Sequence, residues 1–461
     1  MSFIFDALTS WKMTEGNVTS TEEILEWVDK RNKTLEVDIR KIPYKYDGFW
    51  FYDEEEGVIR NRNNSFFKLA GYRVEDYDGS VIEQPVILQD EIGYLGIIVK
   101  KIDGVLNFLM QAKIEPGNVN CIQISPTIQA TRSNFTRKHG GAAPAFLEYF
   151  KNATSYDIIV DQIQSEQSSR FLKKRNRNII IDIGDADIEV PDSHRWMTLG
   201  QIKKLMTYDN LVNMDTRTVL SCMPFSFDNA DEDEIPAIKE LFSDKAFFES
   251  VFAQDKNELH RVFNKINDFK MYRDVKAGFV PLKSLEKWDF KDEEIVCKHD
   301  YDFKIVYCSI AIEGREVRQW EQPLVEAIGM AVFGLYTKVI DGKRKFLVKL
   351  KHEIGCFDEV ELGPVVQMEP SNPMNKLDDI EKGFMDRYAK GEGVIKNVIL
   401  SEEGGRFYHE QNHNVIIDLK EDLGQLPPEY MWVDYSTLNY MVQFNNVLNI
   451  QLRNLLSLLD I

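Results

Sequence analysis

Lys113 and Glu115 stand two residues apart in the segment Gln111-Ala112-Lys113-Ile114-Glu115-Pro116-Gly117-Asn118. Side chains on a strand alternate with period two, so both project from one face just before Pro116-Gly117 ends the strand. A cation beside a carboxylate at a strand end suits proton transfer or the positioning of a phosphate. The same pair also reads as a surface ion pair beside a turn. A second polar run, Gln129-Ala130-Thr131-Arg132-Ser133-Asn134, follows Ser125-Pro126-Thr127. Here Gln129, Thr131, Ser133 and Asn134 surround Arg132, whose planar fork matches a phosphate or a pyrimidine carbonyl. A polar loop capping a helix accounts for that run as well. The third stretch is Gln162–Phe171, with Glu166 and Arg170, and it is echoed by Leu400–Phe407, with Glu402, Gly404, Gly405 and Arg406. Paired glycines let a ligand approach the backbone and turn N–H groups towards an anion.

Other residues carry weaker signals. The basic run Lys173-Lys174-Arg175-Asn176-Arg177 becomes Tyr408-His409-Glu410-Gln411-Asn412-His413 in its echo, so a solvated face or a dimer contact is expected there. His139 has the chemistry of a general base but no partner nearby in sequence. Trp50 and Trp288 precede acidic runs at equivalent places and read either as core or as stacking platforms. No Walker loop, GxGxxG, HExxH or GxSxG pattern occurs.

The elements that must position these residues are written twice. Glu83-Gln84-Pro85 recurs as Glu321-Gln322-Pro323, an offset of 238 residues. The same offset pairs Trp50 with Trp288, Gly96 with Gly334, Lys113 with Lys351, Glu115 with Glu353, Gly117 with Gly355 and Gln129 with Gln367. Past a loop the offset becomes 236 and pairs Arg170-Phe171 with Arg406-Phe407, Asn213 with Asn449, and Arg217 with Arg453. Lys351, Gln367 and Glu402 therefore join the candidate binding residues. An internal duplication follows, with an N-terminal repeat over 1–224, an acidic linker or helix over 225–257 and a C-terminal repeat over 258–461.

Within a copy, Ser20 and Glu23 predict a capped helix from Thr21 to Arg31. Alternation predicts strands at 93–101 and 105–113, joined by the hairpin signal Asp103-Gly104, which recurs as Asp341-Gly342. Further strands are expected at 157–164 and 178–183, and helices at 199–205 and 211–220. The fold class is α+β, two tandem copies of one mixed unit. A net charge of −19 disfavours nucleic acid as a partner. The five cysteines show no CxxC spacing, which argues against a zinc ribbon or a disulfide framework. No apolar run approaches the roughly 20 residues of a membrane span, so a cytoplasmic protein without membrane attachment is expected.

Taken together, Glu83-Gln84-Pro85, the 110–120 and 125–134 segments, Asp161–Gln167 with Arg170–Asn178, and Asp209–Asp215 resemble the NDP-hexose 2,3-dehydratases of deoxysugar biosynthesis. That resemblance implies two tandem Nudix-like α/β/α repeats, a homodimer and a substrate most often linked to dTDP. It implies loss of the C2 hydroxyl from a 4-keto-6-deoxyhexose, giving an unstable 3,4-diketo-2,6-dideoxy sugar for a downstream 3-ketoreductase. The reaction it implies needs neither metal nor other cofactor. On this reading Lys113 and Glu115 act at the reacting carbons, and Arg132 and Arg406 hold the diphosphate. A Nudix-like nucleotide-sugar hydrolase and a non-catalytic nucleotide-sugar-binding protein are the alternatives. The Nudix metal-binding helix pattern is absent from both copies. Copy two also lacks the Glu-Pro-Gly-Asn of copy one, having Glu353-Ile354-Gly355-Cys356.

Overall fold

The computed structural model describes residues 2–461 except 45–47, 76–78, 136–142, 227–229, 274, 292–293, 316 and 372–373; for 134 and 375 it describes the backbone only. His139, the side chain of Asn134 and part of the acidic linker thus lie outside the described residues.

Local signals set the elements. The helix Thr21–Thr34 begins with a capping box: Ser20 accepts from the Glu23 N–H, and the Glu23 carboxylate accepts from the Ser20 N–H at 2.7 Å. Strands Gly93–Ile102 and Val105–Ile114 meet at Asp103 and Gly104, with φ of 48° and 82°, the left-handed pair that a tight hairpin requires. Asp341 and Gly342 repeat it with φ of 50° and 78°. The strand expected from 178 starts earlier, at Arg175–Asp182. The helix expected from 211 starts only at Met214, because Asn213 caps it by accepting from the Thr216 N–H at 2.9 Å.

Each copy builds one mixed central sheet in the same order. In copy one this order is Asp157–Ser165, Arg175–Asp182, Gly93–Ile102, Val105–Ile114 and His194–Thr198, with only the second and third parallel. Copy two repeats it with Val394–Ser401, Gln411–Asp418, Val332–Ile340, Lys343–Lys351 and Tyr430–Asp434. The result is a mixed α+β fold present twice.

The copies interlock. Val37–Lys41 of copy one adds an antiparallel strand to Phe303–Ile312 of copy two, and Lys276–Val280 adds one to Lys68–Glu75 of copy one. One apolar core runs through both, from Ile4 and Met110 to Phe333 and Leu452. Helices Met214–Ser221 and Ile450–Ser457 pack on each other, and each buries an arginine that reaches the other copy. Arg217 donates to the Ser401 carbonyl at 2.8 Å, and Arg453 donates to that of Ser165.

Two glycines make the tightest crossing. The Gly117 N–H donates to the Gly404 carbonyl at 2.7 Å, while its own carbonyl accepts from the His409 N–H at 2.8 Å. Gly355 repeats this with the Ser168 carbonyl and the Lys173 N–H, both at 2.8 Å. A Cβ at Gly117 would lie 1.5 Å from the Phe407 carbonyl oxygen, and one at Gly355 would lie 1.7 Å from that of Phe171. Only glycine lets the backbones pass. Gly117→Ala or Gly355→Ala is expected to cost about 3 kcal/mol or more, at or beyond the upper end of ordinary overpacking. Gly278→Ala, in open space on an exposed strand, is expected to be near neutral. Denaturant melts of the three variants check this.

Candidate active site

The Gly117 crossing brings the loop Glu403–Arg406 of copy two against the end of the Lys113 strand in copy one. Between them lies a cavity of about 430 Å³, within the size range of small-molecule sites. Copy one contributes Tyr94, Lys113, Glu115, Gln129, Thr131, Lys174, Asn176 and Asp215; copy two contributes Arg315, Trp320, Glu321, Gln322, Glu403, Gly405 and Arg406.

Hydrogen bonds fix the copy-one face. Lys113 Nζ lies 3.6 Å from Glu115 Oε1 and donates to the Gln129 carbonyl at 3.2 Å. Gln129 Nε2 donates to Glu115 Oε1 at 2.9 Å, and Asn213 Nδ2 donates to Gln129 Oε1 at 3.2 Å. The pair that strand periodicity placed on one face is therefore set in the cavity wall, Glu115 buried and Lys113 partly so, and is not an exposed surface ion pair. Lys174 Nζ donates to Asn176 Oδ1 at 2.9 Å, and Asn176 passes a bond to Glu166 at 2.7 Å. Burial brings the Lys174 amine down to about 8, against the pull of Glu166 and Glu403. On the copy-two face, Arg406 lies over the Phe67 ring at 4.4 Å and donates Nε to Gln89 Oε1 at 3.2 Å. Gln322 Nε2 anchors the loop by donating to the Gly405 carbonyl at 2.8 Å. Gly404 is a spacer: a Cβ there would lie 2.2 Å from Asn118 Oδ1 and 2.9 Å from Glu115 Cβ.

Of the residues singled out in the sequence, Lys113, Glu115, Gln129, Thr131, Gly405 and Arg406 line the cavity. The other described candidate binding residues do not line it. Arg132 and Ser133 lie past Thr131 in the helix Arg132–Phe135, where Ser133 is buried and donates to Glu91. Glu166 sits behind the wall, holding Asn176. Trp50 and Trp288 are core residues whose indole N–H groups tie the copies together, donating to the Glu321 carbonyl at 2.6 Å and the Glu83 carbonyl at 3.1 Å. The basic run is no uniformly solvated face: Lys174 turns inward, Arg175 stacks on Phe357 at 3.8 Å, and Arg177 pairs with Asp161. Sequence reading missed Lys174, Asp215, Trp320 and Glu403. Trp320 had one available signal, its place directly before Glu321-Gln322-Pro323.

Arg170, Lys351, Gln367 and Glu402 belong to the symmetry-related place in copy two. There Gln367 Nε2 donates to Glu353 Oε1 at 3.2 Å and Asn449 Nδ2 donates to Gln367 Oε1 at 2.8 Å, the same relay as in copy one. Thr131, however, is replaced by Glu369, which pairs with the buried Arg170 at 3.4 Å. The arginine that faces the cavity as Arg406 is here tied to a carboxylate.

The fold and this cavity define a duplicated α+β protein whose halves share one cavity. The chain belongs to the NDP-hexose 2,3-dehydratase family, a family of hydro-lyases, whose model matches residues 21–223 and again 259–459. It is 37% identical to the dTDP-4-dehydro-6-deoxy-alpha-D-glucopyranose 2,3-dehydratase of Saccharopolyspora spinosa, over 95% of this chain and 90% of that protein. It is 35% identical to the enzyme of the same name from Amycolatopsis orientalis, over 97% and 92%. For that of Streptomyces violaceoruber the identity is 34%, over 95% and 97%.

The copy-two place is rich in buried glutamates. Burial pushes Glu361 up to about 8, against its bond from Ser165, and Glu369 up to about 7, against Arg170. Since the folded value of Glu361 lies above the ordinary 4.5, its contribution to stability is complete below about 4.5 and is lost as the pH rises through about 8. Glu361→Gln, which cannot ionise, is therefore expected to gain melting temperature relative to wild type between about pH 5 and about pH 8. Paired thermal melts across that range check it; a constant difference would mean that Glu361 ionises normally.

Proposed function

We propose that this chain removes the C2 hydroxyl of a dTDP-linked 4-keto-6-deoxyhexose, giving a 3,4-diketo-2,6-dideoxyhexose. The observation that carries this reading is the convergence of Lys113, Glu115 and Arg406 on one cavity, in a chain whose relatives bear that activity in their names.

The chemistry follows from the C4 ketone, which acidifies the C3–H. Glu115 takes that proton through Oε1, the oxygen turned to Lys113 and Gln129. The electrons move to the C4 oxygen, and the Lys113 ammonium stabilises the charge developing there. They then return to expel the C2 hydroxyl as water, leaving a C2=C3 enol that tautomerises to the diketone. Arg406 and Lys174 supply positive charge for the diphosphate, and Trp320 offers a face for the base. Arg132, outside the cavity, is given no diphosphate role. A homodimer and a reductase that consumes the unstable diketone complete the reading.

Mass spectrometry of dTDP-4-keto-6-deoxyglucose incubated with the protein is expected to show loss of one water, or breakdown to free dTDP. Recovery of intact substrate from folded protein would refute the proposal. Lys113→Met is expected to lower kcat by about 10²–10³. Arg406→Ala is expected to weaken dTDP binding at least tenfold, whereas Arg132→Ala leaves it within about twofold, as expected for a residue outside the site. Titration calorimetry with dTDP checks both.

A further inference from the structure

Elimination needs an acid as well as a base, because hydroxide is a poor leaving group. Lys113 and Glu115 do not fill that role once they are committed to the C3 proton and the C4 oxygen. Resting on the dehydratase reading above, we propose that Glu403, carried into the cavity by copy two, is the catalytic residue that protonates the departing C2 hydroxyl.

Three observations support it. Glu403 faces the same space as Glu115: the point where a Gly405 side chain would begin lies 2.6 Å from Glu403 Oε1 and 3.4 Å from Glu115 Oε1. Acid and base thus flank one small volume, as removal of groups from adjacent carbons demands. Second, among the described residues the Glu403 carboxyl makes no hydrogen bond or ion pair, although it lines the cavity wall. Two neighbouring carboxylates have a structural duty: Glu115 holds Gln129 and Glu166 holds Asn176. Asp215 and Glu321 also line the wall, but Asp215 is only 2% exposed at the start of its helix and Glu321 is not among the groups nearest the Gly405 position. Third, the position that Glu403 occupies is glutamine in the other copy. Gln167 is its equivalent and donates Nε2 to Glu410 at 3.4 Å. Asp215 is likewise matched by Gln451. The place that keeps the Lys-Glu-Gln relay but lacks the acid is the one closed by Arg170 and Glu369.

The charge balance agrees with this geometry. Burial, then the negative neighbours Glu115 and Glu166, hold the Glu403 proton above the ordinary carboxylate range, against Arg406 and Lys174. Burial, then Glu166 and Glu403, push the neighbouring Asp215 carboxyl up in turn. The acid is therefore loaded at neutral pH. In the step itself the C2–O bond breaks, the oxygen takes the Glu403 proton and leaves as water, and Glu403 remains as a carboxylate. It is reprotonated when the enol gives up its O3 proton during tautomerisation, while C2 gains a proton from solvent and Glu115 returns the C3 proton to solvent.

The test is Glu403→Gln with dTDP-4-keto-6-deoxyglucose in D₂O, wild type alongside. Water release is expected to fall by at least 100-fold, while the recovered substrate gains deuterium at C3, because proton abstraction continues and now reverses. Glu403→Asp is expected to recover part of the water release. Loss of C3 exchange together with water release would overturn the proposal by placing Glu403 at the earlier step or in the scaffold. Retention of more than a tenth of wild-type turnover would overturn it too. A wild type that releases no water overturns the dehydratase reading itself, and this proposal with it.

Discussion

The molecule depends on two places where backbone passes backbone with no room for a side chain. At Gly117 and Gly355 each copy hydrogen-bonds, through both N–H and C=O, to the loop of the other. Peptide groups buried at such a crossing must find partners or cost free energy, and here each finds them only across the repeat boundary. The crossing fixes where Glu403, Gly405 and Arg406 sit relative to Lys113 and Glu115, so the cavity is a consequence of the interlock.

Around that crossing the scaffold is symmetric to the level of single bonds. Trp50 and Trp288, and Arg217 and Arg453, make the same contact across the copies in each direction, and Gln84 and Gln322, and Asn213 and Asn449, make the same contact within each copy. The charges laid on the scaffold are not symmetric. Thr131, Lys174, Asp215 and Glu403 stand opposite Glu369, Glu410, Gln451 and Gln167. One side keeps cations and a spare carboxyl facing open space; the other closes on an Arg170–Glu369 pair. Taking an unpaired arginine out of water is costly, and the carboxylate at 369 settles the Arg170 guanidinium there.

Much of this was legible in the chain. The duplication followed from constant offsets, the hairpins from Asp-Gly, the helix start from Ser20 and Glu23, and the shared face of Lys113 and Glu115 from strand alternation. What was not legible came from contacts between copies, since periodicity reports only on neighbours along one strand or helix. Glu403 and Lys174 read as members of a paired-glycine loop and a basic run, and only the fold turns them to one cavity. Arg132 differs for the opposite reason: its flanking hydroxyls and amides look like a binding loop, and the short helix that begins at Arg132 places it beyond the residues that line the cavity. Trp50 and Trp288 could be read as core or as platforms, and only their N–H partners in the other copy settle them as core.

The exchanged strands Val37–Lys41 and Lys276–Val280 have a further meaning. Each half borrows an edge from the other, the arrangement met when two identical subunits swap arms. Tying those subunits into one polypeptide makes their encounter intramolecular, so the pairing no longer depends on protein concentration. It also lifts a restriction that any assembly of identical subunits obeys. Two copies of one sequence must place the same residue at both ends of a twofold axis, whereas a single polypeptide can hold glutamate at one end and glutamine at the other. Fusion is thus what permits two places on one scaffold to carry different charges, cations around an open cavity at one and an arginine–carboxylate pair at the other.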